Sequence, residues 1–181
     1  MSSEPVHSLE DLVAIVGRYT IDAFLFVRDG LNYAVERTHG PESRAHKFLA
    51  RYCDKHELDW SDLISRYHTQ DLPESLTEAI DAAGGCEKLN RHVGGREMCW
   101  GLRDLAVDRW GLMAGVVLES WGIRATGDFG HIVFAFIEHE MMQKQEGDSV
   151  KDFEEVYDFN EAFSSAFRLD NGIGEEPTEE N

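Results

Sequence analysis

The sequence predicts a mainly α fold: a compact helical domain whose C-terminal half is three helices followed by a short β-hairpin. Three observations carry that reading. Apolar residues recur at helical spacing over most of the chain. Ser, Asp and Gly stand where helix caps belong, and only the segment after Met142 shifts to an alternating pattern. With 181 residues and 42% hydrophobic content, one domain can bury a sufficient core without disulfides or metals.

The first element, SLEDLVAIVG, opens on Ser8 as N-cap with Asp11 in the first turn and ends on Gly17 as a C-cap. The next stretch places Tyr19, Ala23, Phe26, Val27, Gly30, Leu31 and Ala34 on one helical face and Asp22, Asp29, Asn32 and Glu36 on the other. Gly30 interrupts the apolar stripe, where a missing side chain weakens the helix but lets a neighbouring helix come close. Between Gly40 and Asn90 the chain is more polar, with helices expected at Ser43 to Lys55, Asp59 to Thr69 and Pro73 to Ala83, the last closed by Gly84 and Gly85.

From Arg96 an apolar arc of Met98, Cys99, Leu102, Leu105, Ala106 and Trp110 leaves only Glu97, Asp104 and Asp108 as a polar strip, and Gly111 supplies the C-cap. A helix with so narrow a wet edge belongs at the centre of the fold. Leu112 to Trp121 forms a second helix closed by Gly122. Thr126 or Asp128 caps a third that runs to about Met142. A turn at Glu146 to Ser149 and alternation near Glu155 to Phe159 then suggest the hairpin, and Asp158 or Asn160 caps a last helix through Phe167. Residues 1–167 read as one domain, with 41–90 open to being an insertion. Residues 168–181, rich in Glu, Asp, Gly and Pro, read as an acidic disordered tail.

The formal net charge is -18, from 35 acidic and 17 basic residues, a field that repels nucleic acid and anionic lipid. No apolar run reaches the ~20 residues of a membrane span, and the first residues, MSSEPVH, lack the basic and apolar regions of a secretion signal. Cys53, Cys86 and Cys99 are odd in number and irregularly spaced, as reduced thiols are. A cytoplasmic protein is expected, with no membrane and no nucleic acid as partner.

The segments YTIDAFLFVRDGLNYAVER, RHVGGREMCWGLRDLA, WGIRATGDFGHIVF and DFEEVYDFNEAF together resemble a small family of uncharacterised bacterial repeat proteins described as restricted to planctomycetes and verrucomicrobia. The resemblance covers Tyr19 to about Gly40 and Arg91 to about Phe163, and implies no fold, activity or ligand. That family tends to carry Ser or Thr where this chain has Gly94, so a capping hydroxyl facing Glu97 is lost here.

Helix, helix, helix and hairpin is also the order of a winged helix. Its recognition helix would present His131, Ala135, Glu138, His139 and Met142 without an Arg or Lys, and the following arm is acidic, which suits a protein partner rather than DNA. The alternative is a three-helix core with no wing. Cys53 with His56, Cys86, His92, and His131 with His139 are the metal-ligand candidates. They form no second matching pair, so neither a metal nor a cofactor is expected. Arg91, His92, Gly94 and Gly95 open a helix in HVGGRE, where an anion could sit; equally, the glycines set a turn and the arginines pair with acids.

Trp100 lies off the main apolar arc near Arg96 and Arg103, as interface anchors do, unless another helix of the chain covers it. No GxSxG elbow or Cys–His setting marks a nucleophile. In WGIRATGDFG each residue has a structural role, with Thr126 as N-cap and Arg124 paired to Asp128. The leading expectation is a non-enzymatic adaptor that contacts a protein partner, or a second copy of itself, through Arg96, Trp100 and Arg103 or through His131 and Glu138. The alternative is a small enzyme or ligand-binding protein with a pocket near His92, Arg96 and Trp110. A DNA-binding regulator ranks third.

Overall fold

The computed structural model describes residues 8–164, which form helices and turns; there is no β-strand among them. The helices are α1 (Leu9–Val16), α2 (Ile21–His39), α3 (Arg44–His56), α4 (Trp60–His68), α5 (Glu74–Ala82), α6 (Gly95–Trp110), α7 (Ala114–Ser120), α8 (Thr126–Glu138) and α9 (Phe159–Ser164), with short 3-10 turns at Cys86–Lys88, Gly111–Met113 and Val150–Phe153. The expected end of the last helix at Phe167 and the acidic tail, 168–181, lie outside the described residues.

The caps act as their residue types dictate. Ser8 and Ser43 accept backbone N–H groups of Asp11 and His46, Gly17 closes α1 in the left-handed region, and Asp59 forms a reciprocal capping box with Asp62.

The centre of the fold is α2 against α6. Phe26 meets Trp110, Asp29 meets Arg109, Tyr33 donates to Asp108 and Arg37 pairs with Asp104 at 2.8 Å. Numbers rising along α2 meet numbers falling along α6, so the two helices are antiparallel. They sit unusually close. A Cβ on Gly30 would lie 2.1 Å from Leu102 Cδ2, and one on Gly101 would lie 2.5 Å from Ala34 Cβ and 2.9 Å from its Cα. The glycine expected to admit a neighbouring helix does so, and Gly101 reciprocates from the other side. Phe24, Phe129, Ile132, Leu118 and Ile123 complete a core to which α1, α7 and α8 contribute.

Residues 41–90 build a second apolar cluster of their own, from Leu49, Cys53, Leu63, Leu76, Ile80 and Leu89. The segment leaves and re-enters the main body at adjacent points: His39 donates from Nε2 to the carbonyl of His92 at 2.9 Å, and Arg91 donates to the carbonyl of Gly40.

The hairpin, and with it the winged-helix order, is corrected. Residues 142–158 instead run as an irregular strap over α6 and α8, and α9 continues it against α7. Ser149 and Asp152 form a capping box that nucleates the 3-10 turn. Phe153 then drops into a seat made by two glycines, since a Cβ on Gly95 or Gly130 would lie within 2.8 Å of it. The apolar alternation at 155–159 anchors the strap rather than pairing a strand. The N–H of Val156 goes to the Thr126 hydroxyl at 3.2 Å, and the Tyr157 hydroxyl donates to the carbonyl of Cys99 at 3.0 Å. Helix α8 stops at Glu138, short of Met142, because Glu140 turns into the left-handed region and the N–H groups of Met141 and Met142 fold back onto the carbonyl of Phe136.

Candidate ligand-binding cleft

The strap roofs a cleft of about 370 Å³ against α2, α6 and α8. Its floor is apolar: Leu31 and Val35 come from α2, Met98 from α6, and Val133, Phe134 and Ile137 from α8. Their helical spacing is what brings them to one wall, since 31 and 35, and 133 and 137, are each one turn apart. Met142 and Phe153 close it from the strap, and Trp60 reaches in from α4. The rim is polar, with Asn32 on α2, Asn90, Arg91 and His92 on the neck, and Gln143, Gln145, Asp148 and Asp152 on the strap.

Two side-chain contacts clasp strap to neck. His92 donates from Nε2 to Asp148 Oδ1 at 2.9 Å, a carboxylate being able only to accept. Asn90 and Gln145 exchange amide hydrogen bonds at 3.3 and 3.4 Å. Asp148 Oδ2 also accepts the N–H of Gln145 at 3.0 Å, which holds the turn that presents both residues. A histidine oriented by a carboxylate is a general-base arrangement. The described residues that line the cleft include no Ser, Thr, Cys, Tyr or Lys, and the two carboxylates there, Asp148 and Asp152, each accept a backbone N–H of the strap.

Of the residues the sequence singled out for an anion, Arg91, His92 and Gly95 line this cleft and Gly94 lies just behind it as N-cap of α6, without a side-chain cap. The anion reading meets two acids there. Glu97 folds back so that its Oε2 sits 2.8 Å from where a Gly94 Cβ would be, and Asp152 Cβ lies 2.8 Å from that of Gly95. The positive end of α6 is therefore already faced by the Glu97 carboxylate, with Asp152 packed beside it.

The expected pocket at His92, Arg96 and Trp110 is corrected in the same way. Only His92 lines the cleft. Arg96 and Trp110 are separated by nearly the whole of α6, about 21 Å at 1.5 Å per residue, and Trp110 packs into an aromatic cluster with Phe26 and Trp121.

The expected contact residues do not form a single free surface. Trp100 leans on Tyr157, with ring centroids 4.8 Å apart, and keeps 37% exposure; the strap, rather than the first 40 residues, covers its other side. Arg103 is held by the carbonyl of Ala162 and by Asp104. Arg96 and Glu138 are exposed. His131 stands beside a polar cluster that sequence reasoning missed. Asp128, 3% exposed, accepts from the Tyr19 hydroxyl at 2.7 Å, from Arg18 at 2.7 Å and from the N–H groups of Arg124 and Ala125. Burial, and then Asp128, push the Tyr19 phenol well above its ordinary range.

Asp128 thus ties the α1–α2 link to the start of α8. Arg124 reaches Glu119 at 3.7 Å instead, Ala125 is the N-cap, and Thr126 turns its hydroxyl to the strap.

Cys99 is fully buried and its thiol is pushed up to about 12 by that burial, while burial also raises Cys53 and Cys86. None is a thiolate nucleophile. The histidines and cysteines considered for a metal are dispersed: His56 stacks on Tyr52, and His139 donates to the carbonyl of Ala135. Among the described residues, no three His, Cys, Asp or Glu side chains are grouped to hold an ion, and no helix is long and apolar enough to cross a membrane.

Compared with protein-family models, with curated proteins and with solved structures, the chain has no significant match, so no family is assigned to it.

Proposed function

We propose that the chain is a binding protein for a small, largely apolar molecule, held in the cleft under the 142–153 strap. The observation that carries this reading is the cleft's composition. A cavity of about 370 Å³ with an apolar floor and a polar rim is of the kind that small ligands fill, at the lower end of the usual range of about 300–1,000 Å³.

Native mass spectrometry of the protein purified at low salt from its own cells tests this against a Val35→Phe variant, whose ring would occupy the floor. A small bound mass on the wild type that the variant lacks is the expected outcome. A bound mass that the variant retains in full places the ligand elsewhere and overturns the reading.

The adaptor reading keeps one specific support. Leu112, Met113 and Val116, on the 3-10 turn and first turn of α7, are 51%, 56% and 58% exposed, a cluster of apolar side chains more open than Trp100. The same spectra register a protein partner as a large added mass, which Leu112→Ser with Val116→Ser would remove.

A further inference from the structure

We propose that the molecule taken by the cleft is an uncharged amphiphile, an apolar body with a head that both donates and accepts hydrogen bonds, such as a carboxamide or an alcohol. This rests on the cleft being a ligand site.

Charge at the rim argues against an ionic head. An anion would find a single fixed positive charge, Arg91, which gives one N–H to the carbonyl of Gly40, against Asp148 and Asp152 on the same rim and the Glu97 carboxylate folded over the start of α6. It would also enter the field of a chain with a net charge of -18. A cation fares little better. Asp148 has both oxygens engaged, by His92 and by the N–H of Gln145, and Asp152 accepts the N–H of Ser149 at 2.8 Å. The ammonium of Lys144 already lies 5.7 Å from the ring of Phe134 in the wall. Either ionic head would thus meet charge of its own sign beside its counter-charge on the same rim, and would lose part of its hydration against the apolar floor.

Hydrogen-bonding capacity without charge is what remains open. Four carboxamides, Asn32, Asn90, Gln143 and Gln145, ring the cleft. The side-chain amides of Asn32 and Gln143 make no hydrogen bond among the described residues, and Asn90 and Gln145 bond to each other with amide groups that keep further donors and acceptors. A carboxamide pairs with an amide or hydroxyl head at no cost in ion desolvation, and the apolar body rests on Val35, Met98, Val133 and Ile137.

The test titrates octanamide, octanoate and octylammonium, which share one alkyl chain, into the full-length protein labelled at the methionine methyls, with Met98 and Met142 as reporters. Octanamide should shift both methyls and bind about tenfold more tightly than either ion, a ratio equal to ~1.4 kcal/mol. The double variant Asn32→Leu with Gln143→Leu should bring the three affinities together. Octanoate or octylammonium binding at these methyls as tightly as octanamide would overturn the proposed ligand class and leave the cleft standing as a site. If none of the three moved Met98 or Met142, the cleft reading would fall, and this inference with it.

Discussion

His46 shows how a single side chain takes its character from the structure. In sequence it is one polar residue in the amphipathic helix RAHKFLARYCDKH; in the fold it is 5% exposed and packed 4.8 Å from the ring of Trp60. Burial first, and Arg91 second, lower its pKa below the ordinary value of 6.5. Between that lowered value and 6.5 the unfolded chain binds a proton that the folded chain refuses, so this residue makes stability rise with pH through the window and fall as pH drops below 6.5. Thermal melts from pH 7.5 down to about 5 should show a loss of melting temperature in the wild type that is shallower in His46→Phe; equal slopes would show that His46 titrates alike in both states. Asp128 makes the same point with opposite legibility. Its place at the start of a helix is readable, as an acid near a positive helix end, but its partners Arg18 and Tyr19 lie more than a hundred positions away in the chain.

At the scale of the element, helices α1 to α6 fall within a few residues of their expected bounds, because caps and apolar spacing are local facts that local physics reads. What spacing could not say is how closely two helices approach. The contact of α2 with α6 depends on Gly101 meeting Ala34, where an added methyl would press on backbone rather than on a flexible tip. Gly101→Ala should therefore cost about 1–3 kcal/mol even though alanine is intrinsically the better helix former. Gly127→Ala in α8, where a Cβ meets nothing within 4 Å, should be neutral or stabilising by about 0.4–1 kcal/mol. Urea denaturation of the pair checks both, and similar midpoints would refute the close-packing argument. The strap is the element misread as a hairpin. Alternating apolar residues look alike whether they pair in a ladder or anchor one by one, and only the glycine seat beneath Phe153 and the hydroxyl of Thr126 distinguish the two.

For the molecule as a whole, the two apolar clusters meet at a narrow neck fixed by His39, Gly40, Arg91 and His92. Because the residues that flank the 41–90 segment are hydrogen-bonded to each other, a few glycines can replace it at little cost in loop closure. The shortened chain should keep its near-ultraviolet circular dichroism and a cooperative melt, while losing Trp60 from the cleft wall. A molten, ANS-binding product would show instead that the second cluster is required for the first to pack.

The sequence by itself determined the helical class, the positions of most helices and the central role of the 96–110 segment, since these follow from periodicity, capping chemistry and composition. It also drew attention to Arg91, His92 and Gly95, because paired glycines beside basic residues stand out locally. Tertiary structure decided where those residues sit and what they face. The cleft is assembled from positions 31 to 153, the Glu97 carboxylate folds over the anion-friendly end of α6, and Leu112, Met113 and Val116 make an exposed apolar patch away from Arg96. A concave site is a property of surfaces brought together across the fold, and the energetics that bring them together are not written in the spacing of any one segment.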